Sequence, residues 1–313
     1  MSEPKGTGRA GVLLMGYGSP SGAQDLPGYL TEILHRAPSP ELVQEYERRY
    51  ALIGGSPQSA ILARLRDRVA DRLAAEAPGV PLYLGTKHWH PNVAEVIPEA
   101  SRAGVTRLIA IPLSPYASTW ILEPYRTALA SGAARAPHPI AIELAAGWNA
   151  EPAFVDYWAT AIRAALADAA DPTAVVHLSA HSLPKKYADL GDPYPEILRS
   201  TSDAIARAAG LNRWEFTFQS AGNDTEPWLG PDITDQMRKW KAKGAKTHIV
   251  ASFGFVFDHL EVLYDLDIVT RKFADDLGVV YRRVPEPNSD PALVESLVRV
   301  AVRALGSSTP GSN

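Results

Sequence analysis

The chain has 313 residues, of which 46% are hydrophobic, with a formal net charge of −4 and no cysteine. That length and apolar share suit two packed domains of ordinary size. The weak negative charge gives no general pull toward nucleic acid, and the missing cysteines exclude disulfides, thiolate catalysis and cysteine-held zinc or iron–sulfur centres. No run approaches the ~20 apolar residues of a membrane span. The polar start, MSEPKGTGRA, reads as a tail over residues 1–9, and the end, SSTPGSN, as another over 307–313. The expectation is a cytoplasmic monomer.

Strand-like runs alternate with helical patterns along the chain, which predicts parallel α/β architecture. The first strand, residues 12–15 within GVLLMGYGSP, stops at Tyr17 and a Gly-Ser-Pro turn. The stretch RRYALIGGSP (48–57) follows, and residues 60–75 place Ile61, Leu62, Leu65, Val69 and Leu73 at helical spacing. A strand at 82–85 leads into GTKHWHP. At i, i+2 spacing in a strand, His88 and His90 would share a face like a metal pair, but no third ligand accompanies them. Strands at 107–112 and 140–144 complete the first half, and the crossover at 148–156 divides a first domain (10–150) from a second (151–306).

The second half repeats the plan. A helix at 152–170 precedes a strand at 174–179, which stops at His181 and a Ser-Leu-Pro turn. A short helix at 203–209 and strands at 215–219, 247–252 and 279–282 follow. An amphipathic helix at 291–305 could pack back on either half. The predicted fold class is α/β, with two similar doubly wound domains. Each has a four-stranded parallel sheet flanked by helices, and a cleft lies between them. Ligands of open parallel sheets sit beyond the strand carboxyl ends. The cleft should therefore receive a tyrosine from one domain and a histidine from the other.

Two loops stand out. SPYASTWILEPY and FGFVFDHLEVLYDLD follow the third strand of each half. Tyr116, Trp120, Tyr125, Phe253, Phe255 and Phe257 could wall a flat apolar slot, or could serve as core of long loops. A helix starting near Asp258 would put Asp258, Glu261 and Asp265 within about 60° of one another. Such an acidic stripe destabilises a helix unless a cation compensates, although acids in a first turn are also favoured by the helix dipole. His181 suits a proton acceptor near neutral pH, or a loop hydrogen bond. His35, His138, His177 and His248 read as surface or packing residues. There is no phosphate loop, no dinucleotide fingerprint and no nucleophile elbow. GND at 222–224 reads as a turn.

LSAHSLPKKYADLGDPY (178–194), FQSAGNDTEPWLGPD (218–232) and FGFVFDHLEVLYDLD (253–267) resemble, in order, the motifs of the ferrochelatase family. MGYGSP, RRYALIGGSP, GTKHWHP and SPYASTWILEPY fit as well, so the resemblance runs from about Gly11 to Leu305. It implies a lyase of chelatase fold that inserts ferrous iron into a porphyrin in heme biosynthesis, with iron as substrate and no cofactor required. The short cysteine-free chain is similar to the bacterial branch that acts on coproporphyrin III. Protoporphyrin IX, another tetrapyrrole and metal, or a carrier role without chemistry are the alternatives.

By the same resemblance His181 and Glu261 are the catalytic pair, Tyr17 faces them across the macrocycle, and Asp265 joins His181 and Glu261 in handling metal. Arg49, Lys87 and Arg126 are candidate rim cations for propionates. Ser56 and Tyr125 are hydrogen-bond donors, and His88 and Trp228 further substrate contacts. Two departures stand out. Val269 sits where similar bacterial chains often carry one more acid, and the segment at 34–38 lacks an arginine expected there unless Arg36 supplies it. A transient contact with the next enzyme of the pathway is also implied.

Overall fold

The computed structural model describes residues 8–222 and 226–307. Asn223 and Asp224 of the GND turn, and most of both tails, lie outside the described residues. Arg9, counted above with the tail, already belongs to the first strand.

The first half runs β1 (Arg9–Gly16), α1 (Leu26–Leu34), α2 (Pro40–Leu52), α3 (Gln58–Glu76), β2 (Leu82–Thr86), α4 (Val93–Arg102), β3 (Val105–Pro112), α5 (Thr119–Ala134) and β4 (Ala141–Leu144). The second runs α6 (Pro152–Ala169), β5 (Val175–His181), α7 (Lys185–Asp189), α8 (Tyr194–Ala209), β6 (Trp214–Gln219), α9 (Ile233–Ala242) and β7 (Thr247–Ala251). It then continues with α10 (Leu260–Leu263), a π-helical segment (Asp265–Thr270), α11 (Arg271–Leu277), β8 (Val280–Arg283) and α12 (Pro291–Gly306). All eight expected strands form. The expected 203–209 helix is the last part of α8, which begins at Tyr194 and stops at Gly210, whose φ of 69° suits a left-handed cap.

The sheets are four-stranded and wholly parallel, ordered β2-β1-β3-β4 and β6-β5-β7-β8. In each, the first strand in sequence lies between the second and the third. Its carboxyl end is therefore the switch point where successive connections leave to opposite sides. β1 delivers Tyr17 to one such point and β5 delivers His181 to the other.

The strands are apolar because both faces are covered. One face of the first sheet, with Leu13, Met15, Leu108 and Ala110, packs on α4 and α5. The other face joins α3, α6, α8, α12 and the second sheet in one continuous core, including Val12, Leu65, Trp158, Val176, Phe253 and Leu297. α12 contributes to this core between α3 and α6, and Arg72 on α3 pairs with Glu295 on α12 at 3.2 Å.

Candidate active site

The tyrosine side is built first. β1 ends in Gly16, and the next three residues turn sharply. Gly18 has φ of 102°, and a Cβ there would lie 2.9 Å from the Trp89 nitrogen, so only glycine fits. The loop after β2 extends the ladder past the strand. Lys87 N donates to Gly16 O at 2.9 Å, and His88 N to Tyr17 O at 2.8 Å. That places Lys87 Nζ 4.7 Å above the Tyr17 ring and the His88 ring 4.7 Å beside it. Tyr17 stays 42% exposed, the open face of an otherwise packed group. Burial lowers the Lys87 ammonium to about 8. Burial, with Lys87 and His35 nearby, lowers His88 to about 3, so its imidazole is neutral. Tyr17 is pushed up by burial and by the charge of Glu261, which reaches it from the other half.

The histidine side comes from β5 and the loop after β7. His181 Nδ1 donates to the Ser182 carbonyl, which leaves Nε2 facing Glu261 Oε1 at 3.6 Å. Phe255 stands edge-on to the imidazole at 6.1 Å. Burial disfavours the imidazolium, but Glu261, the Ser182 carbonyl and Asp265 outweigh it and raise His181 to about 9. Burial raises Glu261, yet His181 and His259 reverse that and bring it to about 2. The resting pair is imidazolium and carboxylate. Asp265 is raised by burial and by Glu261, while Ser220 Oγ donates to its Oδ2 at 2.6 Å and moderates the rise.

The acidic stripe forms with one member replaced. Glu261 lies on α10, and Asp265 opens the π-helical segment, an irregularity common at functional sites. Asp258 is not in the helix. Its backbone N–H and carboxylate are held by Asn288 at 2.8 and 2.7 Å, and its Oδ1 faces Arg283 Nη2 at 3.1 Å. His259 caps the helix instead, its Nδ1 accepting from Glu261 N at 3.2 Å. Val269 is 50% exposed on the π-helical segment.

The other expected residues have varied surroundings. Tyr116, Phe253, Phe257 and Tyr125 are core side chains and do not wall a slot. Trp120 is 47% exposed and stacks on Tyr187 at 3.8 Å. His88 and His90 lie beyond β2 and share no strand face; His90 is exposed and bonds Glu95 at 3.0 Å. Arg49 is engaged by Glu45 at 2.7 Å, and its guanidinium lies 5.1 Å from the Tyr264 ring of the other half. Ser56 Oγ bonds Ser19 Oγ, beside a pocket of ≈ 220 Å³ that Pro20, Leu26 and Tyr50 help to line. Tyr125 lies under Lys87, its ring centroid 5.5 Å from Nζ. Arg126 is exposed on α5, and Trp228 is half-buried and bridges Pro184.

Three residues of the site were not anticipated. Ser220 takes a left-handed φ of 57° to reach Asp265. His259 caps α10, and the sequence gives little sign of it because histidine is not among the usual N-cap residues. Arg283 grips Asp267 through two nitrogens at 2.8 and 2.9 Å and holds Asp258 as well. No sequence periodicity points to that long-range partner.

The ferrochelatase family model matches residues 9–305. The chain belongs to the ferrochelatase family. A relative from Anoxybacillus flavithermus named coproporphyrin III ferrochelatase is 39% identical, over 94% of this chain and 96% of its own length. One of the same name from Bacillus subtilis is 34% identical, over 95% and 98%. Among solved structures, SirB from Bacillus subtilis with Fe3+ has a TM-score of 0.59 at 14% identity, covering 96% of this chain and 98% of that one. The sirohydrochlorin chelatase SirB from Bacillus subtilis subspecies spizizenii, in complex with cobalt, has a TM-score of 0.55 at 12% identity, covering 94% of each. At such identities the likeness speaks for the fold alone, which is that of the chelatases. No helix among the described residues is long and apolar enough to cross a membrane.

Proposed function

We propose that this ferrochelatase-family protein inserts ferrous iron into coproporphyrin III to give coproheme. The observation that carries the reading is the His181–Glu261 pair at one switch point, whose charge reaches Tyr17 at the other. A free porphyrin centre holds two pyrrole N–H protons, and both must leave as a dication enters. The site supplies what that exchange needs. Glu261 and Asp265 put negative charge beside the cleft, and nitrogen and carboxylate donors suit ferrous iron. As the dication nears, it disfavours the imidazolium, so His181 gives up its Nε2 proton to solvent and takes a pyrrole proton in its place. Glu261 orients the ring and balances its charge. Tyr17 presents its oxygen to the opposite face of the macrocycle.

Coproporphyrin III carries four propionates, so its rim needs cations. Lys87 and Arg126 fill this role in the proposal, with Ser56, His88 and Trp228 as further contacts and the buried Tyr125 supporting the Lys87 ammonium from beneath. Arg49 is a third candidate rim cation, although Glu45 already engages it. The enzyme acts in the cytoplasm as a monomer, needs no cofactor, and passes coproheme on by a transient contact with the next enzyme. Support for the porphyrin assignment comes from the names of the relatives at 34–39% identity. The test is anaerobic insertion of ferrous iron, followed by absorbance, with coproporphyrin III and protoporphyrin IX compared. Preference for coproporphyrin III is expected. Preference for protoporphyrin IX would overturn the substrate, and tight binding without insertion would favour a carrier.

A further inference from the structure

One face of the second sheet is unlike the rest of the interior. Side chains two apart on a strand share a face, so His177, Ser179 and His181 of β5 form a row. In the parallel register, Thr217 of β6 stands beside Ser179, and Gln219 beside His181. His248 of β7 stands beside Val175, and Tyr281 of β8 beside His248. His177, Ser179, Thr217 and His248 are wholly buried, and Gln219 is 2% exposed. His177 Nε2 and His248 Nδ1 share a hydrogen bond of 2.8 Å, their rings parallel within 5°.

The remaining polar atoms of this row have no protein partner among the described residues. They are His177 Nδ1, His248 Nε2, Ser179 Oγ, Thr217 Oγ1, both amide atoms of Gln219 and Tyr281 OH. An unsatisfied buried polar group costs about 1–3 kcal/mol. Seven on one face would be a heavy burden for a fold, and buried water is the usual remedy. The spacing suits it. Same-face neighbours on a strand are about 6.6 Å apart, a gap that one water bridges with two ordinary hydrogen bonds. The row begins beside the catalytic imidazole, whose Nδ1 is taken by the Ser182 carbonyl and whose Nε2 faces Glu261, so water has to join it to Gln219. The row ends at His248, the second residue of β7, two residues from the exposed Lys246.

We propose that this row holds ordered water and carries the displaced pyrrole protons from His181 through Gln219, Ser179 and Thr217 to the His177–His248 pair and the amino end of β7. The inference rests on the chelatase reading above. Hydroxyl, amide and neutral imidazole groups each offer both a donor and an acceptor, which a proton chain requires. Burial keeps both imidazoles below the ordinary histidine range, so they would pass protons without retaining charge. The charged groups nearest the row lie at its sides. Glu215 is held by Trp240 Nε1 at 3.4 Å and by Lys239, and Arg283 is held by Asp258 and Asp267.

The test uses the full chain with Thr217→Val, Ser179→Ala and His177→Leu, assayed for iron insertion in light and heavy water. Thr217→Val replaces a hydroxyl with a methyl of like size, so folding should be kept. The expected result is a drop in kcat of about five- to tenfold, less than the ~10²–10⁴-fold that a positioned acid–base group contributes, because each variant removes one relay group and leaves His181 in place, with porphyrin affinity within about twofold and a larger solvent deuterium isotope effect. Thr217→Val and Ser179→Ala decide the matter even if His177→Leu does not fold. An unchanged kcat would overturn the proposal, and so would a drop with no change in isotope effect. If the unaltered protein inserts no iron at all, the chelatase reading fails instead.

Discussion

At the residue scale the site turns on one imidazole that begins in the wrong charge state for its task. Its pKa of about 9, set against burial by Glu261, makes His181 an imidazolium at neutral pH. NMR titration of the free protein should give a midpoint well above the ordinary value of about 6.5, and Glu261→Gln should return it toward that value. The two shifts also fix the pH range in which the pair stabilises the fold. His181, raised, contributes below about 6.5 and loses its contribution as pH rises through about 9. Glu261, lowered, contributes above about 4.5 and loses its contribution as pH falls through about 2. Removing either partner should cost stability mainly between these limits, measured as denaturant midpoint against pH. His181→Ala should lower insertion at least about a hundredfold while porphyrin affinity, measured by fluorescence quenching, changes little. Near-normal turnover would sink the mechanism.

At the element scale, strand existence was legible because buried parallel strands read as short apolar runs between turn residues. Tyr17, His181, Glu261 and Asp265 were legible because each ends a strand or opens a helix within a long motif. Asp258 was misread because helical spacing takes no account of a side chain held elsewhere, and Asn288 and Arg283 hold it from thirty and twenty-five residues away. The slot walls stay undecided in the sequence because aromatic loop residues look alike there whether they face a cleft or a core. Arg283 is 12% exposed and bound by acids. Arg283→Met should leave Asp258 and Asp267 uncompensated and cost about 3–5 kcal/mol in urea unfolding. Asp192 accepts from Ser118 Oγ at 3.0 Å, Trp120 N at 2.8 Å and Tyr194 N at 2.9 Å, tying α5 to the second half. Asp192→Ala should cost about 2 kcal/mol in the same experiment, because these are hydrogen bonds to a charge.

At the scale of the whole molecule, the two halves share one core and are not joined as beads. α3 of the first half and α6 and α12 of the second bury side chains in the same cluster. A fragment ending at residue 150 loses the side chains that cover α3. It should show no cooperative thermal transition, whereas the full chain should melt as one unit. Two separate transitions in calorimetry of the full chain would contradict this. Sequence showed the repeat of architecture but not this shared core, since α12 has an amphipathic pattern that suits either half.

The seat of α12 also bears on how the molecule is made. Leu293, Leu297, Val300 and Ala304 fill space against elements translated far earlier. A chain growing on the ribosome therefore carries an unsealed apolar surface until residue 304 has emerged. Nascent chains should therefore leave free pigment untouched until synthesis has passed that helix.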